Sequence, residues 1–130
     1  MKNIFPQNLF DGYKIFIEKS LQNKEFKYRF LAHNGQNPNT ILISCCDSRV
    51  PPELIFNLDF GEVFVIRNMA NLILPYQYEN QPGYQETSEA LSLAINSLNI
   101  KNIVVLGHSF CNGVRYLLNN RNKKLKIHIG

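Results

Sequence analysis

Ile41-Leu42-Ile43-Ser44-Cys45-Cys46-Asp47-Ser48-Arg49-Val50 is an apolar run that stops abruptly at two thiols, a carboxylate and a guanidinium. Followed by Pro51-Pro52, it predicts a buried strand whose C-terminal end opens into a turn, the place where open α/β sheets carry their chemistry. A second apolar run, Ile103-Val104-Val105-Leu106, ends the same way in Gly107-His108-Ser109-Phe110-Cys111. Two buried strands whose tips both present soft metal ligands point to one metal between them.

That idea fixes the strand order. Zinc binds sulfur at about 2.3 Å and imidazole nitrogen at about 2.0 Å, whereas neighbouring strands lie about 4.8 Å apart. Ligands at the tips of strands one and three therefore converge only if those strands are neighbours. With strand two at Glu62 to Ile66, starting from Gly61, the order becomes 2-1-3 and the site falls in the crevice where the winding reverses. Cys45, His108 and Cys111 then form a three-ligand set with an open fourth position, the arrangement of catalytic rather than structural zinc. Each signal alone is ordinary, because free cysteines pack in cores and His-x-x-Cys is commonly a turn; their joint placement favours metal over packing. Asp47 and Arg49, two apart after a strand, are placed to form a bidentate pair that keeps the carboxylate ionised and oriented beside the metal, the alternative being a surface ion pair of little weight. A thiol-redox reading of Cys45-Cys46 also stands, but the chain has no Cys-x-x-Cys, and adjacent cysteines rarely make an unstrained disulfide.

The 130 residues, 45% of them hydrophobic, suit a single domain spanning 1–130 with one modest core. Three cysteines, no N-terminal signal-peptide pattern and no apolar run long enough for a membrane span predict a soluble, cytoplasmic protein of a reducing compartment. The formal charge of +4 is uneven: residues 1–89 carry eight Lys/Arg and ten Asp/Glu, and residues 90–130 carry six Lys/Arg and no acid. No aromatic residues or glycines are interleaved with the tail lysines, so the basic end reads as a solvated face, or one meeting an acidic partner, rather than a nucleic-acid groove.

Along the chain, Leu9, Tyr13, Phe16, Ile17 and Leu21 recur at helical spacing, with Gly12 as a weak point. A second helix is expected from Lys24 to Ala32, stopping at Asn34-Gly35, so the two make an N-terminal helical arm ahead of the sheet. Pro51-Pro52-Glu53 starts a short helix to about Asn57. Residues 69–85 read as a long loop bordering the site. The next helix begins near Thr87 or Ser88 as N-cap and buries Ala90, Leu91, Ala94, Ile95 and Leu98. A further helix starts beside Cys111 with Val114, Leu117 and Leu118 on one face. Lys124 to Ile129 alternates strictly and suits a fourth strand, extending the order to 2-1-3-4. The class is α/β: a mostly parallel sheet with helices on both faces.

Cys45-Cys46-Asp47-Ser48-Arg49-Val50 followed by Gly107-His108-Ser109-Phe110-Cys111 resembles the β-class carbonic anhydrases, whose pattern is Cys-x-Asp-Ser-Arg and later His-x-x-Cys. The likeness runs from about Gly12 to Leu118 and includes Phe64 to Asn71 and Thr87 to Leu91. The resemblance implies Cys45, not Cys46, as a zinc ligand with His108 and Cys111, and Asp47 with Arg49 as the catalytic dyad. It implies reversible hydration of carbon dioxide to bicarbonate by zinc-bound hydroxide: zinc lowers the pKa of its water to about 7, a general value that comes from carbonic anhydrases of the three-histidine kind. In some members of the family the equivalent aspartate binds zinc instead and closes the site.

The chain also departs from the pattern. Asn112-Gly113 stands where the family usually has a pair of small residues, and Phe110 is bulkier than the residue common there. Family members continue well beyond this length, so the tail reads as the start of the family's next strand and the domain as incomplete at its C-terminus. In the family the pocket is partly walled by the neighbouring subunit, which implies a homodimer or larger assembly whose turnover depends on association. Two other readings are a truncated zinc-binding remnant with little activity and a metal-free thiol or nucleotide-binding module, the latter disfavoured because no strand leads into Gly-x-Gly-x-x-Gly or a P-loop.

Overall fold

The computed structural model describes residues 5–75 and 85–120. The chain divides into two compact units, Met1–Gln36 and Asn37–Gly130. In the first, α1 (Gln7–Ile15), a π-helical turn (Phe16–Leu21) and α2 (Gln22–Asn34) follow one another without a coil break, so the two separate helices expected from the pattern are one helical run. Nothing between Tyr13 and Asn34 can stop a helix, since that stretch has neither proline nor glycine. A Cβ at Gly12 would meet nothing, so this glycine marks no close approach. The run ends at Gly35, whose φ of 76° continues no α-helix.

The second unit is built on a three-stranded parallel sheet in the order β2-β1-β3, with β1 at Thr40–Cys45, β2 at Phe64–Asn68 and β3 at Asn102–Leu106. The crossover order read from ligand reach is therefore the observed one, and helices lie around the sheet. Ile41 pairs with Phe64 on one side and Ile103 on the other, and Ile43 with Ile66 and Val105. Side chains alternate across a strand, and the face carrying Ile41, Ile43 and Ile66 packs against Ala94 of α4 (Gln85–Ser97), with Phe64, Ala90, Leu91 and Leu98 around it. Burying these branched chains at about 25 cal/mol per Å² is the main force holding the central strand, which is inaccessible from Ile41 to Cys45.

Several boundaries differ from the sequence reading. β2 starts at Phe64, not Glu62, because Gly61 has a φ of 79° and the Asp59–Glu62 turn closes on itself, Glu62 accepting a hydrogen bond from the Asp59 amide at 2.7 Å. α4 starts at Gln85, so Thr87 lies inside it instead of capping it, and the Thr87 hydroxyl accepts from Asn68 Nδ2 at 3.1 Å. Ile95, expected in the core, is 52% exposed on the outer side of α4. β3, expected to be buried, leaves Ile103, Val104 and Val105 exposed, because α4 packs over Ile41, Ile43 and Ile66 and among the described residues no helix covers β3 as closely. The short helix after the first strand, α3, is Pro52–Ile55. The loop after β2 opens with a 3₁₀ turn, Met69–Asn71. The expected strand from Lys124 to Ile129 lies outside the described residues.

Candidate active site

The tip of β1 ends at buried Cys45 and turns through Cys46 and Asp47, the Val50 amide donating to the Asp47 carbonyl at 3.1 Å. The tip of β3 leads through His108 to Cys111, which immediately precedes α5 (Asn112–Asn119). Because β1 and β3 are neighbours, Cys45, His108 and Cys111 bring their ligand atoms within 4.8 Å of one another, and the two sulfurs stand 3.7 Å apart. Two thiolates on one tetrahedral zinc at about 2.3 Å each would be separated by about 3.8 Å. His108 Nδ1 lies 3.1 Å from the Ser109 carbonyl, while its Nε2 is buried with no hydrogen-bond partner. A buried imidazole nitrogen with no hydrogen-bond partner, beside two sulfurs, is a donor set that suits zinc, so the residues fit the metal. Cys46 is exposed and stands outside this group.

Burial pushes the Cys45 thiol up, but the neighbouring His108 side chain, the Asp47 and Ala70 backbone and the Cys111 thiol outweigh it and bring the thiol down to about 7. A thiol so lowered is ready to lose its proton to a metal near neutrality. Ala70 is buried against Cys45 and Cys111, with a φ of 65° that L-residues other than asparagine and aspartate seldom adopt. Asn68 closes this turn, donating to the Leu72 carbonyl at 2.7 Å and accepting from the Leu72 amide at 2.8 Å.

Asp47 and Arg49 form a bidentate pair: Arg49 Nε donates to Oδ1 at 2.9 Å and Nη2 to Oδ2 at 2.7 Å, and the Arg49 amide adds a third bond to Oδ1 at 3.0 Å. The Arg49 side chain, followed by its backbone amide, holds the Asp47 carboxyl well below the usual carboxylate range, against the opposing effect of burial. Arg49 Nη2 also reaches the Phe110 carbonyl at 3.4 Å, linking the two loops. An open cleft of about 490 Å³ faces the pair and is lined by Asp47, Ser48, Arg49, Phe110, Asn112 and Arg115.

Known proteins match this arrangement. The family model described as carbonic anhydrase matches residues 40–129, from the start of β1 onward. The chain is 42% identical over 96 residues to beta carbonic anhydrase 6, mitochondrial, of Arabidopsis thaliana, a match covering 74% of this chain and 31% of that protein. The chain belongs to the β-class carbonic anhydrase family. Among solved structures, the β-carbonic anhydrase CcaA superposes with a TM-score of 0.77 at 37% identity, covering 90% of this chain and 52% of that one. One of two tetrameric β-carbonic anhydrases from Sordaria macrospora superposes with a TM-score of 0.61 at 34% identity, covering 95% of this chain and 53% of that one. The chain spans less than half the length of the curated carbonic anhydrases it matches.

Against the β-carbonic anhydrase pattern, the two departures in this chain have different structural weight. Phe110 is 79% exposed at the cleft mouth with a φ of 55°, so its bulk displaces no core atom. Asn112-Gly113 keeps its glycine where contact is tight: a Cβ on Gly113 would sit 2.9 Å from the Ala70 nitrogen and 2.9 Å from Met69 Cγ. Three site contributors were not read from the sequence: Ala70, Gly113 and Arg67. Arg67 Nε donates to the Cys45 carbonyl at 3.0 Å and Nη2 to the Asp47 carbonyl at 2.8 Å. The signal available for Arg67 was its place at the end of a strand paired with β1.

Proposed function

We propose that this chain reversibly hydrates carbon dioxide to bicarbonate at a zinc ion held by Cys45, His108 and Cys111. The observation that carries the reading is the unpartnered Nε2 of His108 facing two buried thiols 3.7 Å apart, with the Arg49-locked carboxylate of Asp47 two residues from Cys45. Bound there, zinc supplies Lewis acidity that brings the pKa of a water to about 7, the general value from carbonic anhydrases of the three-histidine kind.

The remaining work falls to the protein. Asp47 stays ionised through the neutral range, so it accepts a hydrogen bond from the attacking water and sets the direction of its lone pair toward the carbon of the substrate. Arg49 holds both carboxylate oxygens, so Asp47 cannot swing away without losing charge-assisted bonds. The open cleft admits a small neutral gas and releases a small anion past Arg49 and Arg115. The reaction consumes one water and leaves one proton for the solvent. Because two of the ligands must be reduced thiols, the reading includes a reducing, cytoplasmic setting. It also includes a homodimer or larger assembly, supported by exposed Phe110 just before α5, by exposed Val114 and Leu118 on α5, and by exposed Ile103 and Val105 on β3.

The test is metal analysis and hydration kinetics on the purified chain. Zinc-bearing protein is expected to accelerate hydration over buffer and chelated protein is not. Protein that takes up no zinc would favour the metal-free module instead.

A further inference from the structure

We infer that Arg67 is a positioning residue: it ties β2 to the turn at the tip of β1 and so sets where the Cys45 sulfur and the Asp47 carboxylate stand relative to each other. The β1–β2 ladder ends just past the pairing of Cys45 with Asn68, its last bond being the Cys46 amide donating to the Asn68 carbonyl at 2.9 Å. Beyond it the chain leaves the sheet and turns, and the Asp47 carbonyl accepts from the Val50 amide of that same turn, a bond that does not tie the turn to β2. Arg67 supplies that tie twice. Its Nε and Nη2 span both carbonyls, at 3.0 and 2.8 Å, one belonging to a candidate ligand and the other to the candidate acid.

The effect is geometric rather than electrostatic. Both bonds of Arg67 go to backbone carbonyls and neither to the Asp47 carboxylate, which Arg49 holds. A planar fork with fixed spacing suits two carbonyls two residues apart; a lysine ammonium radiates its three donors from one atom on a flexible stem, so it holds such a pair less rigidly. Arg67 projects from the opposite face of β2 to Ile66, which is in the core, so it can be changed without opening the cluster around Ile43. Arg67 thus acts on the site through the β1 carbonyls, while Ala70, in the turn that follows β2, packs against Cys45 and Cys111.

This inference rests on the zinc reading for its consequence but not for its geometry, and the test separates the two. Arg67→Gln, Arg67→Lys and Ala94→Gly, the last a destabilising control in the α4 core, are compared with wild type. In the metal-free chain, amide hydrogen exchange is followed at Cys46 and at Val50, whose N–H donates to the Asp47 carbonyl at 3.1 Å. In parallel, cobalt(II) alone is titrated in, reading affinity and the thiolate charge-transfer band. Arg67→Gln is expected to speed exchange at Cys46 and Val50 selectively, to weaken cobalt binding about tenfold or more, and to shift the band. Arg67→Lys is expected to recover part of each, and Ala94→Gly to leave cobalt affinity at wild type. Unchanged exchange and affinity in Arg67→Gln would overturn the inference, and so would equal weakening in Ala94→Gly, which would make the effect one of general stability. If wild type binds no cobalt, the metal reading fails by itself while the exchange measurement still decides whether Arg67 holds the turn.

Discussion

Gly113→Ala is the change that most sharply tests how the two candidate cysteines are held together. Two effects oppose each other. Alanine is favoured over glycine within a helix by about 1 kcal/mol, so a Gly113 facing open space would make the variant more stable. Here the new methyl would stand 2.9 Å from the Ala70 nitrogen, 2.9 Å from Met69 Cγ and 3.0 Å from Ala70 Cβ, each well inside ordinary contact. Met69 is exposed and can move its side chain, but Ala70 is buried and cannot yield without shifting the turn that carries its amide toward Cys45. Overpacking of this kind costs about 1–3 kcal/mol, and a clash with the backbone of a buried residue falls toward the upper end, about 2–3 kcal/mol, so the net loss is about 1–2 kcal/mol after the helix gain of about 1 kcal/mol. In a domain of this size that lowers Tm by about 5–10 °C. Because Cys111 is the residue from which α5 begins, moving α5 off the turn also pulls its sulfur away from Cys45. The assay is urea unfolding of metal-free protein beside a zinc competition titration. Stability at or above wild type, with unchanged zinc affinity, would refute the argument that the Gly113–Ala70 contact sets the distance between the thiols.

Other predictions follow from the same geometry. Replacing Cys45 or Cys111 by Ser, or His108 by Ala, is expected to remove bound zinc from about one per chain, whereas Cys46→Ser keeps it; metal content by mass spectrometry decides, and the opposite pattern at Cys45 and Cys46 would reverse the assignment. Arg49→Ala is expected to abolish most turnover while zinc stays bound, because Asp47 loses both side-chain bonds that orient it; an unchanged rate would discard the dyad. Activity and sedimentation across a dilution series are expected to fall together, since the apolar surface at Phe110, Val114 and Leu118 is proposed to be covered in an assembly; a fully active monomer at the lowest concentration would contradict that.

What the sequence made legible was whatever local pattern encodes. Two apolar runs ending in Cys45 and in His108 to Cys111 gave the strands, and the short reach of a metal bond then forced β1 and β3 to be neighbours. The spacing of Asp47 and Arg49 gave their pairing for a similar reason, since residues two apart at a turn meet without help from the rest of the fold. Arg67, Ala70 and Gly113 were not legible because each depends on a contact made only after folding: strand pairing brings Arg67 beside the β1 turn, and packing brings α5 down on Ala70. The helical run from Gln7 was cut in two because its apolar stripe weakens around Gln22 to Lys24, although a weak stripe lacks the backbone reason to stop that Gly35 supplies. Residue type alone predicts Thr87 or Ser88 as the cap, yet both lie inside α4 and the Thr87 hydroxyl is engaged by Asn68 across space.

Cys45, His108 and Cys111 are proposed to hold a zinc that makes this chain a catalyst of carbon dioxide hydration. Stopped-flow hydration measured along a zinc titration of metal-free protein tests it most directly. The rate is expected to climb in proportion to bound zinc and to level off at about one equivalent per chain. A chain that has taken up its full equivalent and still hydrates carbon dioxide no faster than buffer would contradict it.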